Sequence, residues 1–263
     1  MQRTGRRRHE LDDDGVRAFH QTGWVVLDGL FDGDEVAAMR ESFDRLELLA
    51  ERLGSSADVG GARFVVDPAA EGRPPRIRRI VWCGAVEPRL LRLGRDARLL
   101  RPVARLLGSP EMDHLINQAH FKRPGDGVAF PWHQDSSRRR WGSEWRDVTG
   151  RGSYVQVVVA VDDVTADNGP LRLIPGSGRL GHLDLPDGRL DLAPSGLADE
   201  TEAVAATMHA GDALLFGPYT IHGSEPNRSA APRRVLINGF AAPGANSRVY
   251  PGSGLGVRVR APL

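Results

Sequence analysis

His133-Gln134-Asp135 places an imidazole and a carboxylate two residues apart. In extended chain, side chains two apart leave the same face, so both groups can grip one cation. A metal held by two histidines and one carboxylate on a single face keeps its remaining positions open, the arrangement that non-heme Fe(II) oxygenases need for co-substrate and oxygen. The pair therefore requires a second imidazole. His222, in Tyr219-Thr220-Ile221-His222-Gly223-Ser224, offers it. Taken alone, His-x-Asp is a common tripeptide. The other histidines fit the role less well: His9, His20 and His182 lie in charged or Gly/Asp-rich stretches, and His114, His120 and His209 have no carboxylate two residues away.

These groups need a scaffold, and the composition supports one. The chain has 263 residues, 40% of them hydrophobic, enough for a single compact domain with a real core. Its 35 basic and 34 acidic residues give a net charge of +1, which carries no signature of nucleic-acid binding; Arg6-Arg7-Arg8 reads as part of a flexible tail over 1–10. The single cysteine, Cys83, rules out an internal disulfide, and its neighbours Val81 and Trp82 make it a buried structural thiol. No apolar stretch reaches the roughly eighteen residues of a membrane span, and the N-terminus lacks the apolar core of a signal peptide. The expectation is a cytoplasmic protein with a small-molecule substrate, no nucleic-acid or membrane partner, and an undetermined oligomeric state.

The elements that must position the site fall into two groups. Acids at 12–14 open a short helix over 11–21, residues 23–27 read as a strand, and Val36, Met39, Phe43, Leu46 and Leu49 form one helical stripe within 32–53 that ends near Gly54. Residues 54–61 and 68–75 are turn-rich, with a strand at 63–66, and helical spacing returns over 88–107, broken near Gly94. The segment 11–114 is thus expected to be largely helical. From 115 onward the pattern changes to short strands at 117–122, 154–161, 171–174, 213–216 and 235–240. The 154–161 segment is apolar at nearly every position, as in a strand covered on both faces. Many short strands with Gly/Pro turns predict a sandwich, a barrel or a double-sheet jelly roll over 115–263. The acidic, Pro/Gly-rich stretch 180–203 is either a lid over the site or a surface loop.

Four blocks in order resemble the phytanoyl-CoA dioxygenase family of Fe(II)/2-oxoglutarate-dependent oxygenases. They are Phe19 to Leu27, then Phe121-Lys122-Arg123-Pro124-Gly125-Asp126-Gly127 with Trp132-His133-Gln134-Asp135, then Asp167-Asn168-Gly169-Pro170 through Pro175-Gly176-Ser177, then His222-Gly223-Ser224 with Asn227, Ser229, Arg233 and Arg234. The resemblance implies a mostly β fold with flanking α: a double-stranded β-helix (jelly-roll, cupin-like) core with N-terminal helices packed on one sheet. It further implies that His133, Asp135 and His222 bind Fe(II). Arg233, eleven residues after His222, would bind the far carboxylate of 2-oxoglutarate. A guanidinium offers the paired donors a fixed carboxylate requires. Arg234 is the competitor, but neighbours on a strand point to opposite faces, so only one of the two enters the site. Ser224, Lys122 and Gln118 are further co-substrate candidates, Ser224 being equally suited to a turn hydroxyl.

The family's Pro-Gly-Ser is commonly followed by His, where this chain has Gly178. Related halogenases replace the metal carboxylate with a small residue; Asp135 is present, which favours hydroxylation. The implied activity is hydroxylation of an unactivated carbon of a small organic substrate, a natural product or an acyl-CoA-like molecule, with O2 consumed and succinate and CO2 released. Arg138, Trp141 and, more weakly, Trp132 are the candidates for substrate contact beside the metal motif. Two rival readings are a non-redox zinc enzyme on the same jelly roll and a non-catalytic binding protein that kept the fold.

Overall fold

Acidic caps start the long helices. Asp12 accepts from the Gly15 amide and opens α1 (Asp13–Thr22). Asp32 and Glu35 exchange bonds in a capping box that opens α2 (Gly33–Leu53). Glycines Gly23 and Gly54, at φ +99° and +66°, end them in the left-handed conformation that needs no Cβ. The computed structural model describes residues 11–70, 73–184, 191–192 and 199–262. After β1 (Trp24–Leu27) and α2 come β2 (Ala57–Val59), β3 (Ala62–Asp67) and β4 (Arg76–Val81), then α3 (Pro88–Gly94) and α4 (Ala97–Leu107). Asp96 caps α4 and marks the break expected near Gly94. The C-terminal part supplies β5 (Glu111–Lys122), β6 (Phe130–His133), the one-turn α5 (Asp135–Arg138), β7 (Tyr154–Ala160), β8 (Arg172–Leu173), β9 (Val204–Ala205), β10 (Ala213–Phe216), β11 (His222–Ser224), β12 (Arg233–Ala241) and β13 (Val257–Arg260).

The strands form two antiparallel sheets. The larger has the order β1-β10-β7-β12-β5-β4-β3-β2, with β13 added to β5, and the smaller has the order β6-β11-β8-β9. The helices cover the outer face of the larger sheet, where Met39, Phe43, Leu99 and Val103 meet Val155, Val157, Val159 and Leu215. On the other face Val158, Leu214, Phe216 and Val235 form a second core with Leu173 and Met208. This is the expected double-stranded β-helix, and β7 is buried on both faces as its unbroken apolar run requires. Phe43 is fully buried with its ring 5.3 Å from that of Phe121. Phe43→Ala is expected to cost about 3–5 kcal/mol, read as a lower urea midpoint at unchanged m-value.

Segment 11–114 is mixed, not largely helical, because β2, β3 and β4 extend the larger sheet beyond β5. β4 was hidden in the sequence by its composition, Arg-Ile-Arg-Arg-Ile-Val. Ile77 and Ile80 join the helix-covered core three residues apart, with Arg76, Arg78 and Arg79 around them, so no period-two alternation survives. β13, Val-Arg-Val-Arg, does show strand alternation, a signal that the sequence reading left unused. Cys83 is buried, donates to Asn117 Oδ1 at 3.4 Å, and burial raises its thiol pKa. The 1–10 tail, and 185–190 and 193–198 of the 180–203 stretch, lie outside the described residues. Among the described residues no helix is long and apolar enough to cross a membrane.

Candidate metal centre

His133 ends β6 and His222 begins β11, and the two are direct partners across the ladder. Their rings lie 4.3 Å apart between centroids. Gln134 keeps extended backbone at φ −106°, ψ 143°, so Asp135 returns to the side of His133 although it already begins α5. One ligand atom from each of the three residues lies within 4.8 Å of the others.

Each imidazole is fixed through its far nitrogen. His133 Nδ1–H donates to the Pro131 carbonyl at 2.8 Å and His222 Nδ1–H to the Thr220 carbonyl at 2.9 Å, since a carbonyl can only accept. Both Nε2 lone pairs are left for a ligand. Burial, with His222 alongside, pushes the His133 pKa down to about 3, and burial lowers that of His222 too, so both rings are neutral near pH 7. Burial opposes ionisation of Asp135, but Arg139 and the two imidazoles carry its pKa below the usual carboxylate value. Its Oδ2 is buried and accepts no hydrogen bond. Two imidazole lone pairs and an unsatisfied carboxylate oxygen thus converge with no proton among them. A divalent cation completes such a donor set, so the residues present fit a metal.

Loops far apart in sequence hold the triad in register. Gln134 donates to the Gly181 and Tyr219 carbonyls at 2.9 and 2.7 Å and accepts from the Leu183 amide at 2.9 Å. Ser177 Oγ accepts from the Ile221 amide at 2.9 Å, beside His222. Arg139 stands behind Asp135, its Nη2 3.7 Å from Oδ2. Arg139 stacks 3.7 Å over the Tyr154 ring and donates to Tyr250 Oη and Gln156 Oε1 at 3.2 and 3.3 Å.

Arg233 and Lys122 are opposite one another on β12 and β5, and both side chains are buried. The carbonyl of Gly169, in the Asn-Gly turn at φ +78°, accepts from Arg233 Nη2 and from Lys122 Nζ. Lys122 Nζ also donates to Ser224 Oγ at 2.7 Å and to the Glu225 carbonyl. Burial pushes the Arg233 pKa down to about 10, and burial with Arg233 alongside pushes that of Lys122 to about 6. Arg233 Nε is buried without a partner. Arg234 points the other way, paired with Asp162 at 2.7 Å and with Asp44 of α2.

A cleft of about 1020 Å³ opens over the triad and is lined by Arg233, Ser224, Gln118, Arg138 and Trp141 among others. Gln118 Oε1 lies 2.9 Å from His120 Nε2. Lys122 sits under this cleft, not on its wall. Trp132 faces away and packs with Ile174, Leu192 and Ile221, under the Arg172 guanidinium. The Trp141 ring stacks on His182, which also lines the cleft although its loop context suggested an ordinary surface position. Sequence reasoning missed Arg79, Arg139 and His120. For Arg139 a signal existed: it lies four residues after Asp135, the spacing that brings side chains together on a helical turn. Nothing local marked the other two.

The sequence profile of "Phytanoyl-CoA dioxygenase (PhyH)" matches residues 19–235. An "Ectoine dioxygenase" of Sphingopyxis alaskensis is 31% identical over 233 residues, covering 82% of this chain and 71% of that protein. An "L-proline trans-4-hydroxylase" of Streptomyces griseoviridis is 28% identical over 245 residues, covering 83% and 82%. The crystal structure of EctD from S. alaskensis with 2-oxoglutarate and 5-hydroxyectoine superposes with a TM-score of 0.70 at 29% identity, covering 94% of this chain and 80% of that one.

Proposed function

The chain belongs to the phytanoyl-CoA dioxygenase family, and from that premise we propose that it is an Fe(II)- and 2-oxoglutarate-dependent hydroxylase of a small organic substrate, working as one catalytic domain. The observation that carries this reading is the pairing of two features: three metal-donor groups within 4.8 Å of one another, and a buried guanidinium, Arg233, that no acidic side chain neutralises among the described residues. Relatives named for dioxygenation of ectoine and hydroxylation of proline, and a structural relative holding 2-oxoglutarate, support it.

His133, Asp135 and His222 hold Fe(II). Held there, Fe(II) would supply, with 2-oxoglutarate and O2 as co-substrates, the oxidation that replaces an unactivated C–H by C–OH, with succinate and CO2 released. The remaining work belongs to the chain. The Nδ1–H bonds to Pro131 and Thr220 fix the ring planes, so both Nε2 atoms are aimed before the metal arrives. Arg233 takes the far carboxylate of 2-oxoglutarate, and Ser224 and Gln118 line the same cleft. Lys122, donating to Gly169, Ser224 and Glu225, holds the Ser224 hydroxyl and the Asn-Gly turn from beneath. Apolar side chains between the sheets exclude water from the reacting carbon. No acid–base pair is required.

Arg139 keeps Asp135 ionised and oriented. Arg139→Gln is therefore expected to weaken Fe(II) binding about 10- to 100-fold, measured by competition with a chelating dye. The reading as a whole is tested by anaerobic titration of the Fe(II) protein with 2-oxoglutarate. A weak visible charge-transfer band is expected, and its absence would favour the zinc-enzyme or binding-protein alternatives. A substrate screen for stimulated succinate formation then identifies the molecule hydroxylated.

A further inference from the structure

β4 carries three arginines in its first four residues, and two of them have a carboxylate. Arg76 and Arg78 both pair with Asp67. Arg79 has no ion pair among the described residues; its charged neighbours are Arg138 and Arg78, both cations. Its Nε is buried and bonded to nothing. The side chain lines the cleft. A guanidinium does not shed its proton, so one set into a cleft without a counter-charge is costly until an anion arrives.

That anion is not 2-oxoglutarate. Arg79 pairs with His120 on β5, and His120 pairs with Val235 on β12, two residues along from Arg233. Paired residues share a face, so Arg79 and Arg233 look into the same cleft from β4 and β12. Two strand spacings, about 9.5 Å, and two residues of rise, about 7 Å, separate their backbones. A five-carbon diacid with one end on the triad and the other on Arg233 does not also span that gap. Between the two guanidinium groups His120 stays neutral: burial, then Arg79, Arg233 and Lys122, hold its pKa well below the usual value. Among the arginines that line the cleft, Arg79 and Arg233 thus share one face with an uncharged ring between them, and Arg138 adds a further cation beside Arg79.

We propose that Arg79 is the anchor of a second anion subsite, which holds a carboxylate of the substrate itself. This inference rests on the dioxygenase reading and narrows its substrate to an organic acid. Val65, the partner of Arg79 on β3, lines the cleft, and Val81, Ile116 and Ile237 line it further along the sheet, so the carboxylate carries an apolar body. The flat, forked donor set of a guanidinium suits a carboxylate through two parallel bonds.

The probe is benzoate, titrated calorimetrically into the anaerobic protein loaded with Fe(II) and saturating 2-oxoglutarate, with benzamide as the neutral isostere. Benzoate is expected to bind once per chain, at least about tenfold more weakly to Arg79→Gln. Benzamide binds weakly to both. The 2-oxoglutarate charge-transfer band stays unchanged in Arg79→Gln, which shows the variant folded and its metal site intact. Three outcomes overturn the proposal: no benzoate binding to the unsubstituted protein, equal benzoate affinity in Arg79→Gln, or benzamide binding as tightly as benzoate. A missing band in the unsubstituted protein instead overturns the dioxygenase reading, and the benzoate difference between the two proteins still scores the subsite.

Discussion

Replacing His222 by Ala is expected to reduce substrate-dependent succinate formation by at least about 10³-fold, a loss of about 4 kcal/mol of transition-state stabilisation. His222 is the sole member of the triad contributed by the second metal segment, and it faces His133 across a single ladder step. Without it only an imidazole and a carboxylate remain, which leaves Fe(II) with too few protein ligands to hold one geometry. The variant should still fold, since His222 contributes one buried ring and one side-chain hydrogen bond to the Thr220 carbonyl. The measurement is succinate formation at saturating Fe(II), with circular dichroism and the urea midpoint as fold controls. Activity within tenfold of the unsubstituted protein, at normal iron loading, would falsify the ligand assignment.

Arg233→Ala is expected to raise the 2-oxoglutarate requirement roughly 30- to 4000-fold, the range for losing one partner of a buried charge pair at about 2–5 kcal/mol. The effect should fall on KM for 2-oxoglutarate far more than on Fe(II) affinity, because Arg233 makes no contact with the triad. Arg233→Lys should recover part of it, since a point charge keeps attraction but not the two-pronged geometry. Arg234 provides the contrast. It faces the helices, bonded to Asp162 and Asp44, so Arg234→Ala should lower stability and leave the co-substrate requirement near normal. An Arg233→Ala protein with an unchanged 2-oxoglutarate KM sinks the hydroxylase assignment and returns the zinc-enzyme alternative.

Much of this was legible in the chain. The helices announced themselves through stripe and cap, as in Asp32, Glu35 and Gly54. β7 declared burial on both faces by its composition. Strand alternation, a covalent property of extended backbone, put Arg233 and Arg234 on opposite faces in advance, and the family spacing favoured Arg233. β4 was illegible, because its arginines stand at positions where an apolar residue would have shown the period, whereas β13 carried strand alternation over only four residues. Trp132, beside the metal motif in sequence, alternates away from the cleft and serves the packing of β6.

The division follows from what local chemistry can encode. His133, Gln134 and Asp135 lie within one extended step, and His222 and Arg233 within one strand-turn-strand unit, so residue type and spacing marked the candidate triad, and the resemblance they carry pointed to the family and to Arg233 as the proposed co-substrate anchor. The surroundings of that triad are a product of assembly. Arg139 reaches Tyr154, Gln156 and Tyr250, and Arg79 reaches the cleft beside His120, only because antiparallel pairing sets strands from distant parts of the chain side by side. Which arginine is neutralised and which is left for a ligand depends on whether an acid such as Asp67 falls within reach after folding. The sequence therefore determined the reaction class, and the tertiary structure decided where charge in the cleft goes unanswered.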